Sequence, residues 1–550
     1  MLVAHAFARA LAEDGDTILF GLLGNTNIEL VTGFAEQPGC RYVPALNEDA
    51  VVCMASGYGS VTGKVGVATV IKGPGVTNTL TALTDAVRAR MPLLLIAADS
   101  AVGVRDGDEL QKVPQRDFVL PTGAAFEQVR APETALADLR EARRRAVLES
   151  RPVFVNVPLQ IFKAEIDYVP GGGHRITGGR VKPDPDELGS AVDLLASARR
   201  PLILAGRGAA SKEARASLLR LSAVIGAPLM TTLRGKCLFN GELGDLGLFG
   251  TLASDAGAEV IRRADCVLAF GTSLNYRTTG SGDLLKGKAV MQVDTNRATI
   301  GRGACVNAPV TGDAGTVADA IANVLVEKGL RPTAFRAEAS ALRLQSGFTP
   351  KPHAEGTVDF HAALRCIERS VPADRVLAVD NGYFMYSTYK SISVLDPFSY
   401  VHTTNVGAIG LGLGHALGAA VGAPGRPTLL VTGDGGFMCS GVVEFRTAVN
   451  NGLDLIVAVL NDSAYGAEYV RMVARGQDPA LTTFSRPDFA ALGEALGGQG
   501  FTVKDEESLA QVPQLVANRT KPLLIEFRID PAATTKAPVP AEIEQKSIDD

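Results

Sequence analysis

Short apolar runs recur along the chain, and many of them stop at glycine or at an acidic residue. Examples are TILFGLLG and PLLLIAAD in the first 100 residues, and TLLVTGDG and LIVAVLND after residue 427. Amphipathic stretches such as EDAVVCMASGYGSVTG and NTLTALTDAVRAR separate the apolar runs. Short apolar strands that alternate with helices predict parallel sheets covered on both faces. The predicted fold class is therefore α/β, with doubly wound parallel sheets.

A chain of 550 residues is longer than one hydrophobic core usually organises, so several domains are expected. Residues 171–186 and 331–357 are rich in glycine, proline and charged residues, and this composition predicts a linker in each place. We therefore predict three similar α/β domains and a tail: an N-terminal domain at 1–168, a central domain at 188–330, a C-terminal domain at 356–532 and an extended tail at 533–550.

Composition excludes several classes of protein. The net charge of −5 leaves no basic excess to neutralise phosphates, so no nucleic-acid partner is expected. The seven cysteines form no CxxC pair, which is typical of a reducing compartment. The N-terminus lacks the pattern of a signal peptide. The glycine-rich segment 406–423 is predicted to be a buried packing helix rather than a membrane span. We expect a cytoplasmic protein with no membrane partner.

The most informative stretch runs from Thr428 to Gly466, where one apolar run ends in GDG and the next ends in ND. If both runs are parallel strands, the helix between them brings their carboxyl ends to one edge of the sheet, where ligands of such sheets bind. Asp434 and the ND pair then offer oxygen ligands that suit Mg²⁺. Gly433, Gly435 and Gly436 would let a phosphate approach the backbone. The alternative is that each polar pair is only a turn.

GDG followed by 25 residues and ND resembles the signature of enzymes that use thiamine diphosphate (ThDP). The resemblance implies ThDP and Mg²⁺ as cofactors, and it assigns the metal to Asp434, Asp462 and the backbone carbonyl of Ala464. The family commonly has asparagine where this chain has Asp462. The substitution adds a negative charge beside the diphosphate and bears on metal preference.

The resemblance covers almost the whole chain. VPALNEDAVVCMASGYGSVTG is similar to the N-terminal ThDP segment, whose essential glutamate would be Glu48. A carboxylate bonded to the aminopyrimidine ring drives the tautomer shift that deprotonates C2 of the cofactor. Taken alone, Glu48 could also be a helix N-terminal charge. Further cofactor contacts implied by the family are Gly73, Asn78, Asn381, Gly382, Tyr383, Gly407 and Ile409.

Ile409 stands where the family places a bulky apolar residue under the cofactor, although it could equally serve in core packing. In the family the glutamate and the metal motif of one active site come from different subunits. The resemblance therefore implies a homodimer at minimum, and commonly a homotetramer.

The central block resembles that of acetolactate (acetohydroxyacid) synthase large subunits, in TTLRGKCLF, GLFGTLASDAGAEV and VDTNRATIGR. Arg277 matches the arginine that meets the carboxylate of the second 2-oxo acid, although it could also be a surface residue. Gln111 and Lys72 are the other candidate substrate contacts, and the cation at Lys72 would favour an anionic substrate. The chain lacks tryptophan and has Leu159 where the synthases usually carry lysine, so FAD stays an open possibility.

The resemblance implies decarboxylation of a 2-oxo acid and transfer of the resulting enamine to an acceptor carbonyl. One alternative is a benzoylformate-decarboxylase-like enzyme, but no histidine occurs between His5 and His174 to deliver a proton. Others are a hydroxyketone or 2-hydroxyacyl lyase, and a degenerate homologue without activity. A dinucleotide oxidoreductase is disfavoured, because no GxGxxG follows the first strand.

Overall fold

The computed structural model describes residues 1–105, 108–171, 180–342 and 352–534. It contains three six-stranded sheets flanked by helices, and every strand pairing described is parallel. The sequence prediction of an α/β fold with three doubly wound parallel sheets is confirmed.

The first sheet has the order β2-β1-β3-β4-β6-β5. Its strands are β1 Ile18–Gly21, β2 Arg41–Pro44, β3 Gly66–Val70, β4 Leu93–Asp99, β5 Ala125–Gln128 and β6 Pro152–Pro158. The helices around it are α1 Val3–Glu13, α2 Ile28–Ala35, α3 Glu48–Thr62, α4 Pro74–Thr77, α5 Leu80–Arg88, α6 Gln115–Val119, α7 Ala135–Glu149 and α8 Leu159–Phe162.

The second sheet has the order β12-β11-β10-β7-β8-β9, one of the common doubly wound arrangements. Its strands are β7 Pro201–Ala205, β8 Leu229–Thr231, β9 Asp245–Leu248, β10 Cys266–Phe270, β11 Ala289–Asp294 and β12 Ala308–Thr311. Its helices are α9 Pro185–Ser197, α10 Lys212–Ile225, α11 Asp255–Arg263, α12 Tyr276–Thr279, α13 Ala314–Glu327 and α14 Phe335–Leu342.

The third sheet has the order β14-β13-β15-β16-β18-β17, which repeats the topology of the first sheet strand for strand. Its strands are β13 Val376–Val379, β14 Tyr400–His402, β15 Thr428–Gly433, β16 Leu455–Asn461, β17 Gln499–Val503 and β18 Leu523–Arg528. Its helices are α15 Phe360–Ser370, α16 Met385–Ser391, α17 Gly412–Gly422, α18 Asp434–Gly436, α19 Phe445–Asn450, α20 Gly466–Ala474, α21 Phe489–Ala495, α22 Glu506–Ala517 and α23 Pro531–Thr534.

The described chain divides into two compact units, of which one contains the first sheet and nearly all of the third. Within that unit a single apolar core includes α3 and α17, which pack directly on each other. A Cβ atom on Gly57 would lie 2.0 Å from the carbonyl oxygen of His415, and one on Gly418 would lie 1.8 Å from that of Met54. These glycines therefore let the two helices touch through their backbones.

Helix α17 lies inside the segment 406–423, and most of its residues are buried. The prediction of a buried packing helix there is confirmed. None of the helices in the described ranges combines the length and the apolar character needed to cross a membrane.

The stretch 331–357, expected to be a linker, contains helix α14, so that expectation is wrong for its first half. Phe335 and Ala339 lie four residues apart on one face of α14 and are buried in the core of the second sheet. Residues 343–351, residues 172–179 of the linker at 171–186, and residues 535–550 of the tail lie outside the described residues. The domain boundaries themselves stay a prediction.

Candidate active site

Glu48 is the first residue of α3, at the carboxyl edge of the first sheet just after β2. Asn47 caps the helix by accepting a hydrogen bond from the amide of Asp49 at 3.4 Å. The side chain of Asn78 donates to Glu48 Oε2 at 3.0 Å. The other oxygen, Oε1, faces Gly75, on which a Cβ atom would lie 3.7 Å away. The structure thus brings together Glu48, Asn78 and the turn after β3.

The turn after β3 is tightly enclosed. Gly73 has φ +68°, and a Cβ atom there would lie 2.0 Å from the carbonyl oxygen of Gln111, which places Gln111 against the turn. Gln115, which the sequence analysis missed, accepts from the amide of Gly73 at 2.9 Å and donates to Asn156 at 2.6 Å. Gln115 is 2% exposed, so a buried amide fixes the position of this turn.

Lys72 precedes this turn and is buried. Its ammonium group pairs with the carboxylate of Glu109 and donates to Ser100 Oγ at 3.3 Å. The Lys72 and Ser100 contacts hold the pKa of Glu109 below its ordinary value. The edge of the sheet therefore presents an ion pair at Lys72, whereas the sequence suggested a lone cation.

Glu444 links the loop before Glu48 to the C-terminal half of the chain. One oxygen of its carboxylate accepts from the amides of Leu46 and Asn47, each at 2.8 Å, and the other accepts from Thr447 Oγ1 at 2.7 Å. Glu444 is 1% exposed, and burial raises the pKa of its carboxyl. The sequence analysis did not identify Glu444.

The second group of candidate residues lies at the carboxyl edge of the third sheet, where adjacent strands β15 and β16 end. Asp434 follows β15 and accepts from the amide of Gly435 and from that of Ser463, each at 2.8 Å. Asp462 follows β16 and accepts from the amide of Ala464 at 3.2 Å. The structure therefore brings Asp434, Asp462 and Ala464 together, as the strand order predicted.

The two carboxyls affect each other electrostatically. Loss of solvation raises the pKa of Asp434 to about 6. Loss of solvation and then the charge of Asp434 raise the pKa of Asp462 well above its ordinary value. Two ionised carboxylates held this close repel each other unless a cation lies between them. The pair is thus a hard oxygen donor set that suits Mg²⁺.

Among the described residues no group of three or more His, Cys, Asp or Glu side chains could hold a metal. A metal at Asp434 and Asp462 would therefore take further ligands of other kinds, such as the carbonyl of Ala464 and phosphate oxygens. The adjacent backbone is closely packed, since a Cβ atom on Gly436 would lie 2.8 Å from Asp380 Oδ2 and one on Gly435 would lie 3.0 Å from the ring of Tyr465. The paired carboxylates fit a metal that takes phosphate oxygens as further ligands.

Asp380, a residue missed from the sequence, organises the loops around this edge. Its carboxylate accepts from the amide of Asn381 at 2.8 Å, from the amide of Gly410 at 3.0 Å and from Thr432 Oγ1 at 3.1 Å. The side chain of Asn381 in turn donates to the carbonyl oxygen of Gly407. Asp380 is thereby fixed between the end of β13 and the loop that carries the predicted cofactor contact Ile409.

The other predicted cofactor contacts lie on the same loops. Gly382 and Tyr383 follow Asn381 directly, Gly433 ends β15, and Ile409 is half-buried between Gly407 and Gly410. A Cβ atom on Gly433 would lie 3.0 Å from the ring of Phe384. Their direct contact with a cofactor stays a prediction.

Arg277 belongs to α12, in the compact unit that contains the second sheet. It is exposed, and its Nε donates to the hydroxyl of Tyr276 at 2.9 Å. In the same unit Gly206 and Gly208 pack against Gly271, where a Cβ atom on Gly208 would lie 2.9 Å from the Cα of Gly271. The contact of Arg277 with substrate and the binding of FAD both stay predictions.

Glu48 and the Asp434–Asp462 pair form two separate clusters in one chain. No hydrogen bond or ion pair joins Glu48 to either aspartate in the part of the chain that the structure describes. Both clusters nevertheless lie at carboxyl edges of sheets with the same strand order. The chain therefore carries a single carboxylate at one of these sheet edges and a pair of carboxylates at the other.

Comparison with known proteins identifies the protein family to which this chain belongs. The family "Thiamine pyrophosphate enzyme, N-terminal TPP binding domain" matches residues 1–119, its central domain matches 188–321, and its C-terminal TPP binding domain matches 380–527. The chain belongs to the thiamine-diphosphate-dependent enzyme superfamily.

Relatives that align over most of this chain show which members of the superfamily it resembles. A probable 2-ketoarginine decarboxylase, AruI, of Pseudomonas aeruginosa is 32% identical over 511 residues, which are 90% of this chain and 88% of the relative. The acetolactate synthase large subunit of Corynebacterium glutamicum is 26% identical over 550 residues, at 96% and 86% coverage. That of Mycobacterium tuberculosis, IlvB1, is 27% identical over 544 residues, at 95% and 87%. The chain is acetolactate-synthase-like within the superfamily.

Proposed function

We propose that this chain is a ThDP- and Mg²⁺-dependent enzyme that decarboxylates a 2-oxo acid and joins the remaining fragment to an acceptor carbonyl. The observation that carries the proposal is the pair formed by Asp434, which is buried, and Asp462, which is half-buried, at the ends of adjacent strands; together they form a donor set for a cation. When bound, ThDP would supply a nucleophilic carbon for addition to the 2-oxo group, and its cationic thiazolium ring would act as the electron sink for loss of carbon dioxide.

The residues divide this work between them. Asp434, Asp462 and the carbonyl of Ala464 would hold the metal, and the metal would bind the diphosphate. Glu48 would exchange a proton with the aminopyrimidine ring. Because Asn78 already donates to Oε2, the atom that takes part in the exchange is Oε1.

The candidate substrate contacts are Gln111, Lys72 and Arg277. Gln111 lies against the turn at Gly73, close to Glu48 in the same sheet edge. Lys72 lies in this region and forms an ion pair with Glu109. Because the pair has little net charge, Lys72 would contact the substrate through hydrogen bonds and not as an isolated cation. Arg277 would bind the carboxylate of a second 2-oxo acid through its planar fork of donors.

A second candidate function is decarboxylation that ends in release of an aldehyde. It is favoured by the Lys72–Glu109–Ser100 group, which could deliver a proton beside the turn at Gly73, although this sheet edge has no histidine. The probable 2-ketoarginine decarboxylase among the relatives supports the same outcome.

A homodimer is part of the proposal, because the family builds each active site from the glutamate of one subunit and the metal motif of another. Exposed apolar side chains lie beside both clusters: Leu46 precedes Glu48, and Met438 and Val443 follow Asp434. These side chains suit an interface with a second copy. Sedimentation of the purified chain at several concentrations tests this part, and a monomer with full activity would contradict it.

Product analysis separates the two candidate reactions. The purified protein, supplied with ThDP and Mg²⁺, is incubated with pyruvate and with 2-ketoarginine, and products are assigned by NMR. A 2-hydroxy-2-alkyl-3-oxo acid, such as acetolactate from pyruvate, is the expected result. Formation of the aldehyde alone would reject carboligation in favour of the second candidate. If carbon dioxide is released from neither substrate, longer and anionic 2-oxo acids are tried next.

A further inference from the structure

Arg486 lies beside the two carboxylates at a position that the cofactor motif does not include. Its Nε donates to Ser463 Oγ at 2.8 Å. The amide of Ser463 in turn donates to Asp434 Oδ2 at 2.8 Å, and Ser463 adopts φ +56° in the turn after Asp462. A single residue, Ser463, therefore connects the guanidinium of Arg486 to the metal donor set.

Ser463 also directly follows Asp462 in the chain, so its hydrogen bond with Arg486 places the guanidinium group beside both aspartates. Arg486 forms no ion pair, and the hydrogen bond to Ser463 is its only one among the described residues. Its guanidinium group thus keeps donors that no other side chain in the described part of the chain occupies.

The charge count explains why such a cation is needed. Asp462 stands where the family commonly has asparagine, so this chain carries one extra negative charge at the metal site. With Asp434, Asp462 and Arg486 all ionised, the three side chains carry one net negative charge. One aspartate beside an asparagine would carry the same charge. The positive charge of Arg486 therefore offsets the extra negative charge that Asp462 brings to the metal site.

We propose that Arg486 is the charge-compensating residue of the metal site, and that together with Asp462 it sets the affinity of the site for Mg²⁺. This inference rests on the proposed ThDP–Mg²⁺ site. It predicts that Arg486 and Asp462 alter metal binding in opposite directions, and that their effects cancel when both are changed.

Two substitutions separate charge from hydrogen bonding at this position. Arg486→Gln removes the charge but keeps a donor nitrogen at the same number of bonds from the backbone as Nε, so the contact with Ser463 can be retained. Arg486→Lys keeps the charge but alters the donor geometry. Arg446→Gln is the matched control, because Arg446 is an arginine of the same sheet domain that donates to the carbonyl oxygen of Leu496, outside the metal site.

The measurement is the midpoint of thermal unfolding during a titration with MgCl₂ at saturating ThDP and without substrate. Arg486→Gln should lower the half-saturating Mg²⁺ concentration by roughly tenfold, because the donor set becomes more negative. Asp462→Asn should raise it by roughly tenfold, and the double variant should return to within about threefold of the parent. Arg486→Lys and Arg446→Gln should stay near the parent value.

An unchanged half-saturating concentration in Arg486→Gln, together with normal Mg²⁺ binding by the parent, would overturn the inference alone. The same holds if Arg486→Gln binds as the parent does and Arg486→Lys binds poorly, because Arg486 would then act only through its hydrogen bond. If the parent itself shows no stabilisation by Mg²⁺, the metal site is overturned and the inference falls with it. Unfolding of each variant without metal shows whether it is folded.

Discussion

The carboxylate of Glu444 accepts a hydrogen bond from the backbone amide of Asn47 at 2.8 Å, across 397 residues of sequence. Asn47 is the cap of α3 and immediately precedes Glu48, while Glu444 lies ten residues after Asp434 in the helical segment that begins at the metal motif. The loop that presents Glu48 is therefore fixed by the segment that begins at Asp434.

Replacing Glu444 tests this connection. Glu444→Leu leaves the amides of Leu46 and Asn47 without their acceptor and should lower the free energy of unfolding by about 2 kcal/mol or more. Glu444→Gln keeps an acceptor oxygen and should lose less. Urea denaturation measures both, and hydrogen exchange of residues 46–48 should be faster in the leucine variant. Equal stability of the two variants would show that the contact does not hold the loop.

The pH dependence of stability offers a second test of Glu444. Burial raises the pKa of its carboxyl more than the hydrogen bonds from Thr447, Leu46 and Asn47 lower it. A carboxyl whose pKa is raised by folding binds its proton more tightly in the folded state. The free energy of unfolding therefore falls as pH rises from the pKa of that carboxyl in the unfolded chain to its pKa in the folded protein. Glutamine does not titrate, so Glu444→Gln should gain stability relative to the parent as pH rises above 4.5. A pH-independent difference would contradict the assignment.

Two glycines with the same backbone conformation provide a matched pair at the first sheet. Gly63 has φ +69° and open space around it, whereas a Cβ atom on Gly73, at φ +68°, would lie 2.0 Å from the carbonyl oxygen of Gln111. Gly63→Ala should cost about 1–2 kcal/mol, from backbone strain alone. Gly73→Ala should cost at least about 1 kcal/mol more and displace Gln111, with loss of activity. Similar losses in urea denaturation would mean that Gln111 does not constrain the turn.

The metal site is tested by removing one ligand. Addition of Mg²⁺ with ThDP should raise the unfolding temperature of the parent, and EDTA should reverse the increase. Asp434→Asn should shift that response to at least about tenfold higher Mg²⁺ concentration, because one of the two carboxylates is lost. Asp454→Asn, which removes a surface ion pair with Arg519 in the same domain, should leave the response intact. A normal Mg²⁺ response in Asp434→Asn would place the metal elsewhere.

The sequence was most informative where the local pattern itself determines the structure. Strands β4, β15 and β16 are continuous apolar runs, and their carboxyl ends could be located from the residues that follow. The juxtaposition of Asp434 and Asp462 followed from the parallel crossover alone. Five strands were not predicted, because each is interrupted by polar residues, glycine or proline or is only three residues long: β5, β9, β12, β14 and β17.

The missed residues are polar side chains whose partners are distant in sequence. Glu444 stands in a helical pattern, where a glutamate usually indicates a solvent-exposed face, and only its contact with Asn47 reveals that it is buried. Asp380 directly precedes the predicted Asn381, but its bonds to Gly410 and Thr432 depend on three separate segments. Helix α20 and the segment after it separate Arg486 from Asp462, so the proximity of these two side chains could not be predicted from the sequence.

The most direct test of the central claim is carbon dioxide release from a panel of 2-oxo acids, compared between the parent and Glu48→Gln, each with and without ThDP. The parent should release carbon dioxide only when ThDP is present, and Glu48→Gln should be slower by roughly 10²–10⁴ while it remains folded. Release that is independent of ThDP, or a Glu48→Gln variant as fast as the parent, would contradict the account.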